Sequence, residues 1–306
     1  MNLSSNFYLV NKPKTWTSQD LCTKIKKTYK FKKVGHSGTL DPNAEGLMLI
    51  ATNGFTKLFD YIENSDKTYK VKALIGYSSP TLDIDSEFKK IRDIDVSSHK
   101  KEIESFLVDI LGSSTQTPPI FSAIKVKGKR LYKYARQNKE VDIPKRTIHV
   151  KDTQLLSTVG SEIEFLITVS KGTYIRSIVY DLGKHLDTEA IVKELVRTKV
   201  GNNDINDPEV VMNVELLDQD YVMKPINWES LLDLPFIDLD KESNLLIKNG
   251  QFLSNDLFEE KTKHIVTIEN EIKAIYEPFN DKYFKPDKVI IWKLIEVLVK
   301  MIRLNL

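Results

Sequence analysis

The segment Gly35-His36-Ser37-Gly38-Thr39-Leu40-Asp41-Pro42-Asn43-Ala44-Glu45-Gly46 sets the reading of this 306-residue chain. Its three glycines permit positive φ angles and let a ligand approach the backbone closely. Pro42 fixes the chain just after Asp41, so the carboxylate can be held in one orientation. His36 can stack on a base or donate a hydrogen bond. Taken alone, the segment is better read as a tight turn with an Asx cap and an ordinary surface histidine. Leu47-Met48-Leu49-Ile50-Ala51 follows as a buried strand. Upstream, Phe7-Tyr8-Leu9-Val10 reads as a strand that ends in a turn at Asn11-Lys12-Pro13. Thr17 or Ser18 can cap the next helix, which turns Leu21, Ile25 and Tyr29 inward and its lysines outward.

Farther along, Thr68 to Gly76 and Ile163 to Ser170 read as strands. Ile103 to Leu111, Lys129 to Gln137, Tyr174 to Leu186 and Glu189 to Val196 read as helices, while Gln116 to Ile120 carries two prolines and is irregular. Separated strands without a repeating βαβ pattern predict an α+β fold with a largely antiparallel mixed central sheet. Near Asn227 to Pro235 the composition changes. Beyond it, Leu245-Leu246-Ile247, Ile265 to Ile268 and Ile272 to Tyr276 are short apolar runs that predict a small β-rich domain. The expected division is 1–230 for a larger first domain, 231–288 for the small domain and 289–306 for an amphipathic helical tail. In that tail Lys293, Glu296, Lys300 and Arg303 fall at helical spacing and argue against a membrane span.

With a net charge of +2 the chain is nearly balanced, but its charges are segregated. Lys24, Lys26, Lys27, Lys30, Lys32 and Lys33 form one basic stretch. Lys125, Lys127, Lys129, Arg130, Lys133, Arg136 and Lys139 form another. Such patches suit a polyanion bound on one face, although solvated lysine surfaces satisfy the same pattern. A single cysteine, Cys22, excludes an intramolecular disulfide framework and a thiolate metal cluster, and is read as a packing residue. The five histidines are scattered without ligand spacing, so no metal is expected. The N-terminus carries no signal-peptide pattern, so cytoplasm is the expected location.

Five further blocks accompany the glycine-rich segment. They are Lys12-Pro13 before it and, after it, Asp66-Lys67-Thr68-Tyr69-Lys70, the run Gln116-Thr117-Pro118-Pro119-Ile120-Phe121-Ser122-Ala123-Ile124-Lys125, Gly128-Lys129-Arg130-Leu131-Tyr132, and the run Ser170-Lys171-Gly172-Thr173-Tyr174-Ile175-Arg176-Ser177. In this order, from about Asn6 to Gly201, they resemble the TruB family of pseudouridine synthases, and most closely its bacterial members that modify uridine 55 of the tRNA TΨC arm. The resemblance implies the pseudouridine synthase fold, with 1–230 as the catalytic domain and the small domain as a reduced PUA-like RNA-binding module. It implies Asp41 as the catalytic carboxylate and Arg176 as its guanidinium partner, bidentate in the expected form. It also implies that Tyr69 stacks on the target base and that His36 helps extrude the nucleotide. By the same resemblance Tyr174 and Leu195 line the pocket, Lys12 and Pro13 support it from below, and 116–146 is an insertion that closes over the RNA. The reaction is an isomerisation, so neither a redox cofactor nor an activated donor is implied. The partner is the TΨC stem-loop of tRNA, bound by a monomer with no obligatory protein partner.

Some positions depart from the pattern of that family. Asn11 stands for a usual Asp, Thr15 for a usual Gly, Glu45 for a small hydroxyl residue, and Pro80 and Ser86 for an Asp and a Gly. Ser122-Ala123-Ile124-Lys125 also fits the S-x-x-K pattern of serine acyl-enzymes, but the companion S-D-N and K-T-G motifs are missing. A non-catalytic tRNA-binding protein on the same scaffold is the remaining alternative, and the presence of Asp41, Tyr69 and Arg176 argues against it.

Overall fold

The computed structural model describes residues 4–62, 66–218 and 220–290. Among them nine strands form one mixed sheet. They are β1 (Phe7–Lys12), β2 (Val34–His36), β3 (Glu45–Thr52), β4 (Lys67–Ile75), β5 (Gly112–Gln116), β6 (Arg146–Val159), β7 (Glu162–Val169), β8 (Ala190–Val200) and β9 (Asn203–Asp204). The order is β1-β3-β8-β4-β7-β6-β5, with β2 on β3 and β9 on β8. Only the β3–β8 pair is parallel. The expected largely antiparallel α+β architecture is therefore the observed one.

Burial explains the strand sequences. β3 is covered on both faces, which is why Leu47 to Ala51 is an unbroken apolar run. β7 alternates instead, with Ile163, Phe165, Ile167 and Val169 turned into the core. Helix α1 (Ser18–Thr28) opens with a capping box in which Thr17 and Asp20 satisfy each other's backbone N–H, and it buries Leu21, Cys22 and Ile25. Burial also pushes the Cys22 thiol up to about 11, consistent with a packing residue. Helix α2 (Lys100–Asp109) packs on β6, and helix α3 (Ile175–His185) packs on β8. At Gly183 an added Cβ would lie 2.4 Å from the Ala190 nitrogen, so the end of α3 seats directly on the start of β8.

Four readings change. Glu189 to Val196 is not helical but belongs to β8. Two irregularities, between Val192 and Glu194 and between Arg197 and Lys199, break its two-residue period and mimic helical spacing. The expected helix 129–137 shrinks to Leu131–Ala135, because Lys125–Val126 and Lys129–Arg130 pair as a hairpin. Lys127 at φ 50° and Gly128 at φ 78° supply its two left-handed turn positions. Leu245 to Ile247 lies in a short helix, Ser243–Lys248. Strands β5 and β6, left unassigned by sequence, extend the sheet beyond β7.

Beyond Pro235, five strands form a second sheet: β10 (Phe236–Asp238), β11 (Leu253–Ser254), β12 (His264–Ile268), β13 (Glu271–Pro278) and β14 (Tyr283–Val289), in the order β10-β12-β13-β14-β11. One of its faces encloses Ile247, Val266, Tyr276 and Phe284. Ile265, Ile272, Ile275 and Ile290 instead join one apolar cluster with Phe7, Leu47, Leu49 and Phe55 of the first sheet. Tyr61 donates to Asp287 at 2.6 Å and Lys57 to the Val289 carbonyl at 2.6 Å, reinforcing that seam. Of the expected tail, Val289 ends β14 and Ile290 is buried, while 291–306 lies outside the described residues. Among the described residues no helix is long and apolar enough to cross a membrane.

Candidate active site

The glycine-rich segment runs from β2 to β3 across the C-terminal half of β8, and both sides fix it. Gly38 adopts φ +83° and Gly46 φ +117°. A Cβ on Gly46 would sit 2.3 Å from the Arg197 carbonyl oxygen, so glycine is required where β3 meets β8. Leu40 exchanges two hydrogen bonds with the Ser18 hydroxyl. From below, the fully buried Lys12 ammonium donates to the carbonyls of Pro13 (2.8 Å), Trp16 (2.7 Å) and Pro42 (3.2 Å). Burial drives its pKa down to about 8 despite the nearby Asp41, Glu45 and Asp85. The fully buried Arg197 donates through Nε to the Leu47 carbonyl at 2.7 Å and through its terminal nitrogens to the Gly38 carbonyl.

Asp41 sits on the turn closed by the Ala44 N–H to Asp41 carbonyl bond. Its Oδ2 lies 2.9 Å from Nε of Arg176, which is 4% exposed at the start of α3. The expected bidentate fork on Asp41 is not what forms. The Asp41 contact is a close ion pair without hydrogen-bond alignment, and the two terminal nitrogens donate elsewhere, to the carbonyls of Thr81 (2.8 Å) and Phe121 (3.0 Å). Asp83 lies 3.7 Å from the same guanidinium. Arg176 thus ties three loops together. Burial pushes the Asp41 carboxyl above its ordinary value, the Asp83 charge adds to this, and Arg176 opposes it. Desolvation and the charges of Asp83 and Asp41 push Asp85 up to about 6.

Asp41 and Arg176 line a cleft of about 670 Å³ together with Tyr69, Tyr174 and Leu195. Tyr69 comes from β4, Leu195 from β8 and Tyr174 from the cap of α3. Five of the seven residues singled out from sequence therefore meet in one cleft. Lys12 lies beneath it rather than in it. His36 lies on β2 outside the cleft lining, with its Nδ1 buried and unpartnered; burial and the nearby Arg197 push its imidazole below the ordinary value. Glu45 faces Lys14 at 4.0 Å. Among the described residues no group of three or more His, Cys, Asp or Glu side chains could hold a metal.

Sequence reasoning missed several residues. Arg197 carried no signal: it falls just past the helix expected over Glu189 to Val196 and lies in no quoted block. Gln116 is 5% exposed and clamps the Tyr174 backbone, accepting from its N–H at 2.8 Å and donating to its carbonyl at 3.1 Å. Ser122, Arg146 and Lys171 also line the cleft. Ser122 and Lys171 stood inside quoted motifs, whereas Arg146 stood only at the edge of the expected insertion.

Comparison with known proteins bears on what this arrangement does. Residues 26–175 match the N-terminal domain of TruB family pseudouridylate synthases. The chain is 35% identical over 297 residues to tRNA pseudouridine synthase B of Bacillus cytotoxicus, covering 92% of this chain and 96% of that protein. It is 34% identical over 284 residues to the enzyme of the same name from Ligilactobacillus salivarius, covering 89% and 93%. Among solved structures, a chain of a Cbf5-Nop10-Gar1 complex superposes with a TM-score of 0.67 at 21% identity, over 94% of this chain and 85% of that one. A chain of the archaeal box H/ACA sRNP Nop10-Cbf5 complex gives 0.65 at 19%, over 94% and 86%. At these identities the structural likeness speaks for the fold.

Proposed function

The chain belongs to the TruB family of pseudouridine synthases, and on that premise we propose that it converts uridine 55 in the TΨC arm of tRNA into pseudouridine, with Asp41 as the catalytic carboxylate. The observation that carries this reading is the Asp41–Arg176 ion pair on the wall of a cleft that also presents two tyrosines and Leu195. The reaction breaks the N1–C1′ bond, turns the uracil and joins C5 to C1′; C5 then gives up its proton and N1 gains one. Composition is unchanged. A carboxylate at this place can attack C1′ or take a proton from C2′, and both roles need it ionised. Arg176 supplies the opposing charge that holds it so against the desolvation of the site.

The flat apolar surfaces of Tyr69, Tyr174 and Leu195 suit a uracil swung out of its stack, a step that costs a few kcal/mol. Contacts to the rest of the arm must offset that cost. The insertion 116–146 brings Lys125, Lys129 and Arg130 together on one hairpin, a placement suited to phosphate neutralisation. His36, beside the loop and with its imidazole pushed below the ordinary value by burial, can stand by the space the base leaves. The sheet beyond Pro235 would act as the PUA-like second domain, extending the RNA-binding face.

The test is nucleoside analysis of a tRNA transcript after incubation with the purified protein. One pseudouridine at position 55 is expected from the native chain and none from Asp41→Asn. Equal product from both would remove Asp41 from the chemistry.

A further inference from the structure

Arg146 is the first residue of β6, where the insertion rejoins the sheet, and it lines the cleft across from Asp41's loop. Its guanidinium lies 5.8 Å from the Tyr174 ring centre and donates through Nη1 to the Gly172 carbonyl at 3.3 Å. Gly172, at φ +80°, makes room for it, since a Cβ there would come within 3.0 Å of Nη1. The Nε–H, however, is buried without a partner. The Oγ of Ser122, a residue 6% exposed and lining the same cleft, is likewise buried and unpartnered. Buried donors are almost always satisfied, and leaving a charged group's donor unmade is expensive. Two such atoms in one cleft indicate groups arranged for something that arrives with the ligand.

The charge of the cleft says what that is. Arg146 lies on its wall with the cationic side chains Lys67, Lys171, Arg176 and Arg197. Arg176 faces Asp41 and Asp83, whereas Arg146 forms no ion pair among the described residues. A planar guanidinium with a free edge pairs with the oxygens of a phosphodiester in a way an ammonium does not. Its approach to the Tyr174 ring and its bond to the Gly172 carbonyl hold the guanidinium at the cleft wall.

We propose that Arg146 and Ser122 form a subsite for one phosphodiester flanking the reacting uridine, with Arg146 Nε and Ser122 Oγ donating to its non-bridging oxygens. The subsite holds the backbone on one side of the nucleotide while the base turns into the space before Tyr69 and Asp41. This rests on the assignment of an RNA uridine as substrate. Its readout is affinity, so it can be judged apart from turnover.

The experiment uses a TΨC stem-loop RNA carrying a single uncharged methylphosphonate at the linkage 5′ or 3′ to the target uridine. Equilibrium binding to the full-length protein is measured for each RNA. The native protein should lose about tenfold in affinity for one of the two linkages, the size of one charge-assisted bond. Arg146→Ala should bind the unmodified RNA about tenfold more weakly, and its penalty for the modified linkage should fall below about threefold. Its salt dependence should flatten by about 0.7 to 0.9 in the logarithmic slope. Arg146→Lys should keep the slope and show a penalty between those of the native protein and Arg146→Ala, because it keeps the charge without the Nε fork. Ser122→Ala should shrink the penalty at the same linkage. If Arg146→Ala does not fold, Arg146→Lys and Ser122→Ala carry the comparison. A full penalty in the Arg146 variants at both linkages, or no penalty in the native protein, would overturn the subsite. Native protein that binds but forms no pseudouridine would instead sink the reaction assignment and leave the subsite standing.

Discussion

Replacing Arg176 by Lys keeps the charge and tests whether the fork matters. Arg176 spends three nitrogens on three partners: Nε on Asp41, and its two terminal nitrogens on the carbonyls of Thr81 and Phe121. A single ammonium cannot reach all three, so at least two charge-assisted contacts are lost. At about 1.5–3 kcal/mol each, the local loss is about 3–6 kcal/mol. If only the lower figure is felt at the reacting centre, the single-turnover rate falls by about two orders of magnitude. Affinity should change little, within about threefold, because Arg176 is 4% exposed and works on the protein's own loops. The assay is single turnover with saturating enzyme, beside equilibrium binding, for Arg176→Lys, Asp41→Asn and the double variant. Residues acting as one unit are not additive, so the double variant should be scarcely slower than Asp41→Asn. Losses that multiply, or a defect confined to binding, would refute the argument.

Asp41→Asn should bind tRNA within about tenfold of the native protein, roughly 1.4 kcal/mol, so a larger binding defect would show that Asp41 serves recognition. Because burial lifts the Asp41 carboxyl above 3.8, the ionised form is lost at a higher pH than for a free aspartate. The single-turnover rate should therefore fall as pH is lowered through that raised value, and a rate still flat at about pH 4 would contradict it. Gly46→Ala combines a positive φ with a Cβ 2.3 Å from the Arg197 carbonyl, and should cost about 3 kcal/mol or more in urea unfolding. An unchanged midpoint would show that β3 and β8 can part without penalty. Truncation after Asp233 uncovers Phe7, Leu47, Leu49 and Phe55, so the shortened chain should unfold at clearly lower urea or aggregate. Native-like stability would make the second sheet an independent appendage.

What sequence revealed and what it hid follow from one distinction. Elements with a single buried face announced themselves: α1 through Leu21, Ile25 and its cap, β7 through strict alternation. β8 was misread because it carries two irregularities, so its buried and accessible residues do not keep the two-residue period of a strand. β6 was unread because polar residues fill its outer face and its register shifts twice. The cleft shows the same division. Asp41, Tyr69, Tyr174 and Arg176 were legible because they sit in recognisable blocks, and Leu195 through the family resemblance alone. Arg197 sits in no such block, and the role of Gln116, which heads one, was hidden, since each acts by binding main-chain carbonyls or N–H groups, and any segment of backbone offers those.

That use of the main chain explains how the buried cations hold the loop that carries Asp41 while only Arg176 is spent on its neighbouring acids. Lys12 and Arg197 are fully buried and Arg176 nearly so. Had each been paired with its own acid, the site would be neutral and the acids would compete with Asp41 for position. Instead Lys12 is held by the carbonyls of Pro13, Trp16 and Pro42, and Arg197 by those of Leu47 and Gly38. Carbonyl dipoles solvate a cation and fix the loops that carry them, but they cancel none of its charge. The same contacts that immobilise the Asp41 loop thus leave the Lys12 charge to act beside it. That charge and Arg176 favour an ionised Asp41 against desolvation and the nearby Asp83 charge, which would protonate it, and with the cations lining the cleft they draw a polyanion toward it. Rigidity of the loop, ionisation of the carboxylate and attraction of RNA come from one arrangement. A substitution that keeps the loop in place but removes a buried charge, such as Lys12→Met, should therefore weaken chemistry and RNA affinity together, whereas Arg176→Lys should separate them.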